Sequence, residues 1–418
     1  MNILKLHTAD NCAVALETLS SGLTETVGDI TVIIKEDIMS KHKFALKDIA
    51  KNSVIIMYGI TVGKAKTSIK AGELLSLKNV AHDTQDYLNS NKVVQNEDIK
   101  IDDFRDLTFM GYHRKDGQVG TQNIWLVIPL VFCENRNVKI MVEAFLEELG
   151  FKQTNNYKTL VRSLMNKKIS DQTSVNNRHF KNIDGIKFLT HHSGCGGTRE
   201  DAQILCQLIA GYVANPNVAR ATILSLGCQN AQVNLLQKAL EKLRLETYKP
   251  VHVFEQQQSG SEEQLLTNAI TKTFNSLIEA NKIERQPAPL SKKVIGLECG
   301  GSDGFSGISA NPVVGHLSDI IVNLGGSSLL AEFPELCGVE PQLKARMKNP
   351  ADVKKFNQLM NTYAARAEAV GSVFNMNPSP GNIKDSLIMD AMNSAGAAKK
   401  GVTMPLTGVL DYTEQIKR

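Results

Sequence analysis

The chain has 418 residues, 42% of them hydrophobic and 22% charged, a balance that excludes wholesale disorder. Its 47 Lys plus Arg against 43 Asp plus Glu leave a formal charge of +4, too little over this length to mark a nucleic-acid partner. Aromatics are only 6%, with the single Trp at 125, so no ring platform for single strands is expected either.

Residues 1–85 carry short β-rich runs at 30–34, 54–58 and 74–77 between Gly and polar turns, with a weak helical signal only at 13–19. They read as a small β module. The stretch 82–106 is polar and acidic with little apolar periodicity, and 86–106 reads as a linker. The apolar run 124–132 is far short of the ~20 residues of a spanning helix. The N-terminal residues carry no basic lead and no cleavage site, so a cytoplasmic protein without membrane attachment is expected.

From 124 onward strands and helices alternate. Strands are expected at 186–190, 221–226, 251–254 and 294–297. Between them, one helix is expected to bury Ile204, Leu205, Leu208, Ile209, Tyr212 and Val213, and the next Val233, Leu236, Leu240 and Leu243. Leu265, Leu266, Ile270, Phe274 and Leu277 mark a third helix, and Val313, Val314, Leu317, Ile320 and Ile321 a fourth. Such alternation predicts mostly parallel sheets covered by helices. Gln286-Pro287-Ala288-Pro289 cannot continue a helix and separates an α/β domain over 107–285 from a second over 290–418. The polar segment 152–184 reads as a surface insertion.

Three of the seven cysteines, Cys195, Cys228 and Cys299, follow strands and sit beside Gly, where ligands of parallel sheets bind. Their scatter along the chain fits a reducing compartment and free, catalytic or metal-bound thiols rather than a disulfide framework. Soft thiolates suit iron or zinc, yet each Cys is equally read as a small residue in a tight turn, because no CxxC pair is present. His7, and His42 beside Lys43, are candidate ligands or bases, or plain structural residues. Of the pair His191-His192 only one ring can face a site. Glu298 and Asp303 flank Gly300-Gly301 and offer hard oxygen ligands or acid–base groups, with Asp303 also a plausible turn residue. No nucleotide-binding loop is visible.

Together, His7-Thr8-Ala9-Asp10-Asn11-Cys12-Ala13-Val14-Ala15-Leu16 and His42-Lys43-Phe44-Ala45-Leu46-Lys47-Asp48-Ile49-Ala50 resemble the N-terminal module of the altronate and galactarate dehydratase family. So do Gly296-Leu297-Glu298-Cys299-Gly300-Gly301-Ser302-Asp303-Gly304 with its continuation to Pro312, and Leu226-Gly227-Cys228, Glu332-Phe333-Pro334-Glu335-Leu336 and residues 377–382. The resemblance runs from His7 to about Asp411 and is nearer to altronate than to galactarate dehydratase.

It implies an SAF-like β-clip module followed by α/β domains. It also implies a hydro-lyase that turns a hexonic or hexaric acid into a 2-keto-3-deoxy acid with Fe(II) or Mn(II), through C2 proton abstraction and loss of the C3 hydroxyl. On that reading His42 and Lys43 are catalytic. Gly194, Gly300, Gly301, Ser302, Asp303, Asn377 and Asn382 contact substrate, and His7, His42, Cys195, Cys228 and Cys299 are candidate metal ligands. A homo-oligomer is compatible with it. The family usually has Gly where Lys41 stands and Arg where Gln122 stands, differs after Asn382, and runs on by about a domain's length past Arg418. These departures imply a C-terminally shortened member and keep open a catalytically impaired homologue that binds a sugar acid or serves as a partner subunit.

Overall fold

The structure, a computed structural model, describes residues 2–81, 99–151, 156–165, 178–244, 249–298, 305–331, 333–372, 395–401, 403–411, 414 and 416. The chain divides into two compact units. One comprises Met1–Asp106 and Lys293–Asp411 with Ile416–Arg418, the other Leu107–Lys292 with Tyr412–Gln415.

In the first unit the N-terminal module is built from short antiparallel pairings. Ile3–Leu4, Cys12–Ala15, Lys43–Ala45 and Leu74–Leu75 form one four-stranded sheet. Residues 13–15, where a weak helix is expected from sequence, are thus strand: Ala13, Val14 and Ala15 are buried, and tertiary packing on both faces overrides Ala's helical preference. Phe44 points into a core with Ile3, Leu19, Val32 and Ile38. Cys12, Val14 and Ala45 belong to a different core, with Ile55, Met57, Val62 and Ile69. Val54–Met57 and Ile60–Ala65 pair as a hairpin whose two-residue turn is Tyr58-Gly59, with φ +59° and +77°. Two positive φ values match the twist of the strands, and the first of them is held here by a tyrosine.

The C-terminal part of this unit contains a βαβ unit. Val294–Leu297 and Ser327–Leu330 pair in parallel and are joined by the helix Ala310–Asn323. Its buried Asp319 carboxylate accepts from the Thr403 hydroxyl at 2.8 Å and the Thr403 backbone N–H at 3.2 Å. A long helix, Pro350–Ala369, starts with the Asn349 side chain accepting from the Ala351 N–H. Phe356 and Met360 pin it to Leu336, Val339 and Leu343.

The second unit is a doubly wound α/β body. Its parallel sheet has the order Gly185–Phe188, Ile124–Pro129, Val218–Ser225, Val251–Glu255. Period-two alternation sends Leu126 and Ile128 to one face, against the helices Arg199–Ala214 and Val233–Lys242, and Trp125 and Val127 to the other, against Asn135–Glu148 and Glu262–Ala280. The helix Arg199–Ala214 starts in a Thr198–Asp201 capping box. It buries Ala202, Cys206, Ile209, Ala210 and Val213. Ile204, Leu208 and Tyr212, expected inside, are about half exposed, because small residues on the other stripe let the helix approach the sheet closely. Gln286–Pro289 is itself a strand, antiparallel to Thr108–His113, which also pairs Val119–Gly120. Proline is tolerated there on an edge strand. Among the described residues no helix is long and apolar enough to cross a membrane.

Candidate functional sites in the two units

In the first unit the motif around residue 10 is wired to the 54–59 hairpin. The Asp10 carboxylate accepts from the backbone N–H groups of His7 at 2.9 Å and Gly59 at 2.8 Å. The Asn11 side chain donates to Val54 O at 2.9 Å and accepts from Ile56 N–H at 2.8 Å, while the Cys12 thiol faces Ile56 O at 3.3 Å. His7 Nδ1 accepts from Ala9 N–H at 3.1 Å and lies so close to Gly59 that a Cβ there would stand 2.8 Å from it.

Lys43 follows from the alternation of its strand. With Ala45 it points away from Phe44, toward the face shared with Cys12 and Val14, and it is 3% exposed. That face is covered by Tyr58, Ile60, Phe305 and Ile308. Burial, with help from the Asp10 charge and opposed by the charge of Lys43, holds the Cys12 thiol well above its ordinary range. Burial and the charges of Cys12 and Asp10 likewise push the Tyr58 phenol up. The seam between the N-terminal module and the C-terminal part of this unit therefore holds buried polar groups among apolar side chains.

The segment 305–308 forms the other side of that seam. Lys41 Nζ stands 5.2 Å from the centroid of the Phe305 ring. Lys41 itself has φ +75°, the left-handed conformation that Gly adopts without strain. A Cβ on Gly307 would lie 2.5 Å from Tyr58 Oη and 3.2 Å from Gly396 Cα, so three chain segments meet there at van der Waals distance. His42 is half-buried on the adjoining turn, its Nδ1 3.3 Å from Ser40 O.

The structure thus brings Lys43 to this seam, with His7 at the 54–59 hairpin that covers it and His42 one residue away in sequence. Cys299, Gly300, Gly301, Ser302, Asp303, Asn377 and Asn382 lie outside the described residues. Asp10, Asn11 and Tyr58 were not singled out from sequence. A residue-Gly pair between two β runs, Tyr58-Gly59, is the signal that marks this hairpin tip.

Gly194, Cys195 and Cys228 belong to the second unit, at the carboxyl edge of its parallel sheet. The loops there hold one another. Phe132 N–H donates to Ser193 O at 3.0 Å, and Ala231 N–H to Gly194 O at 2.9 Å. His191 Nε2 donates to Pro129 O at 2.7 Å while its Nδ1 accepts from Ser193 N–H, so this ring is a structural tie with both nitrogens engaged. His192 is exposed. Gln229, 2% exposed, accepts from Gly227 N–H and donates to Ser225 Oγ, both at 2.6 Å. Cys195, Cys228 and Cys133, the last not singled out from sequence because no Gly adjoins it, are all exposed on this edge. Gln122 is exposed at the opposite, amino end of the Ile124–Pro129 strand, where its carbonyl accepts from Arg114.

Among the described residues no three His, Cys, Asp or Glu side chains are grouped to hold one metal ion. Asp10 already accepts two backbone N–H groups, and His7 Nδ1 a third.

Three family models match successive parts of the chain. They are an altronate/galactarate dehydratase SAF domain at residues 1–83, the second domain of D-galactarate dehydratase/altronate hydrolase at 111–281, and a D-galactarate/altronate dehydratase C-terminal domain at 290–418. Altronate dehydratase of Bacillus subtilis (strain 168) is 30% identical over 417 residues, covering 100% of this chain and 77% of that protein. Altronate dehydratase of Escherichia coli (strain K12) is 30% identical over 424 residues with the same coverage. The galactarate dehydratase (L-threo-forming) of E. coli is 26% identical over 411 residues, 97% of this chain and 73% of its own length.

Proposed function

Because the chain belongs to the altronate and galactarate dehydratase family, we propose that it is a hydro-lyase that removes water from a six-carbon sugar acid, with D-altronate the preferred substrate. The observation that carries this reading is the likeness to altronate dehydratase along the whole chain rather than over one module. The reaction needs little beyond acid–base chemistry and charge stabilisation. A base takes the C2 proton, electrons move to the carboxylate as an enediolate, and the C3 hydroxyl leaves as water once protonated. The resulting enol takes a proton at C3 and becomes the 2-keto-3-deoxy acid.

We assign the charge-stabilising role to Lys43. Its amine is buried on the face that packs against Phe305 and Ile308, and a cation among buried apolar side chains acts on developing negative charge far more strongly than in water. His42, half-buried beside it, is the proton carrier of this proposal. Gly300, Gly301, Ser302 and Asp303, which precede Gly304-Phe305 in the sequence, are the proposed contacts to the substrate carboxylate and hydroxyls, with Gly194, Asn377 and Asn382 as further contacts.

The test is product formation by the purified full chain supplied with iron, on D-altronate and galactarate separately. A 2-keto-3-deoxy acid from altronate is expected, lost in Lys43→Met and strongly slowed in His42→Asn. A folded protein that leaves both acids untouched overturns the assignment.

A further inference from the structure

Among the described residues four other than glycine have φ in the left-handed region: Lys41 at +75°, Asn52 at +68°, Tyr58 at +59° and Arg244 at +54°. Asparagine adopts this conformation readily, and Arg244 lies just past the helix Val233–Lys242, where such a turn is usual. Lys41 and Tyr58 have neither reason. Both reach the segment 305–307, where Lys41 Nζ stands over the Phe305 ring and Tyr58 Oη lies against Gly307. The hairpin turn itself would be served better by Asn or Gly at position 58. Two costly backbone conformations that carry two side chains to one segment mark that segment as more than packing.

The fold holds the phenol of Tyr58 but makes no use of its hydroxyl. The residue packs on the core of the N-terminal module on one side and on that around Leu336, Leu343 and Ala395 on the other. Its oxygen would stand 2.5 Å from a Cβ on Gly307 and 3.6 Å from one on Gly396. Gly396 is fixed in turn, its carbonyl accepting from Asn311 Nδ2 at 3.0 Å. Yet among the described residues Tyr58 Oη has no hydrogen-bond partner, and only burial and neighbouring charge act on its acidity, both keeping it protonated. Tyr112, the buried tyrosine of the second unit, behaves differently, its Oη donating to Asn182 O at 3.2 Å. Hydroxyls largely shut away from water are nearly always paired. The Tyr58 O–H therefore calls for an acceptor that is not protein, and it lies on the seam to which Lys43 points.

We propose that the Tyr58 phenol is a substrate-binding hydrogen-bond donor, which gives its O–H to the carboxylate of the sugar acid and holds that group as it becomes the enediolate. The proposal rests on the dehydratase reading above and adds a neutral donor beside the Lys43 cation for the same oxygens. Tyr58 keeps its proton throughout, so no bond of the phenol breaks and nothing has to reprotonate it. A donor fixed in place and shielded from water gains strength as charge grows on its acceptor, so its effect falls on turnover more than on binding.

The test is Tyr58→Phe in the full chain supplied with iron, assayed on D-altronate and galactarate. A fall in kcat of about 100-fold is expected, the size of losing one such donor, with KM changed by less than about threefold. The ring stays and the lost hydroxyl holds nothing in the fold, so the melting temperature should stay level or rise. Tyr112→Phe is the contrast, with a lower melting temperature and unchanged kcat. A Tyr58→Phe protein with the parent's kcat overturns the proposal and leaves the dehydratase reading standing. A melting temperature that drops along with kcat marks a structural hydroxyl and overturns it too. A second readout needs no turnover: 3-fluorotyrosine placed at 58 should shift its fluorine resonance when D-altronate is added, and not with D-altritol, which lacks the carboxylate. If neither acid is turned over, that shift keeps Tyr58 as a binding group and removes the dehydration instead. No shift means that water alone is the acceptor, and the proposal falls.

Discussion

Tyr58 Oη rests against Gly307 so closely that a Cβ on the glycine would stand 2.5 Å from the phenol oxygen. The tyrosine reaches this place from the tip of a hairpin, in a backbone conformation with φ +59° that bulky residues rarely hold. Strain of this kind, on the order of 1–3 kcal/mol, persists only where surrounding structure enforces it, and it concentrates at functional sites. Here it joins the N-terminal module to the segment 305–308, a few residues after Gly300-Gly301-Ser302-Asp303 in the sequence.

Gly307→Ala should therefore destabilise the first unit by about 1–3 kcal/mol, the range of overpacking a filled contact. Tyr58→Phe removes the oxygen that the new methyl would meet. The double variant should be less destabilised than the sum of the two single ones, an interaction of at least about 0.5 kcal/mol in a denaturant cycle. Strict additivity would mean that the two residues do not touch in solution.

Lys249 supplies a prediction in the second unit. Its Nζ, 2% exposed as a residue, donates to the carbonyls of Val213 at 3.0 Å, Ala214 at 3.0 Å and Asn215 at 2.7 Å, the open C-terminal end of the helix Arg199–Ala214. A cation there both satisfies orphan carbonyls and opposes the helix dipole, while burial, with the charge of Arg114, pulls the ammonium down to about 7. Lys249→Met keeps the stem and removes the donors. The expected cost is about 2–4 kcal/mol in urea unfolding, since buried carbonyls are left without partners. A loss below about 0.5 kcal/mol would refute the capping role.

His252 sets a pH dependence. Its ring stacks on Trp125 at 6.1 Å between centroids, and Nε2 lies 2.9 Å from Ser276 Oγ. Burial first, then the charges of Lys272 and Arg220, lower its pKa below the ordinary 6.5. The unfolded chain therefore binds the proton first as pH falls through about 6.5, so the folded state loses stability relative to it. His252→Phe keeps the stacking and cannot titrate. The melting temperature of the parent should fall more steeply between pH 7.5 and 5.5 than that of the variant, and parallel slopes would remove His252 as the cause.

Much of this was legible in the sequence. The strands at 218–225, 251–255 and 294–297 announce themselves by apolar, β-branched runs ending in Gly or polar turns, and the parallel body follows from their alternation with helices. The helix over 199–214 was legible as a helix but not in its phase. Ile204, Leu208 and Tyr212 outweigh Ala202, Cys206 and Ala210 in hydrophobicity, yet closeness of packing favours the small stripe. The strand at 12–15 was hidden by alanines whose local preference runs the other way. Lys43 was found by its place beside His42, but its burial depends on which face the Lys43–Ala45 strand turns inward. That is fixed by pairing with Cys12–Ala15, a relation between residues about thirty positions apart.

Whether this chain dehydrates a sugar acid is decided by proton NMR of D-altronate turned over by the full, iron-supplied protein in deuterium oxide. The C2 proton signal is expected to vanish and a 2-keto-3-deoxy acid to appear carrying one solvent deuterium at C3, where the enol is protonated. An unchanged altronate spectrum, and an unchanged galactarate spectrum beside it, from protein whose circular dichroism shows it folded, would rule out the dehydration.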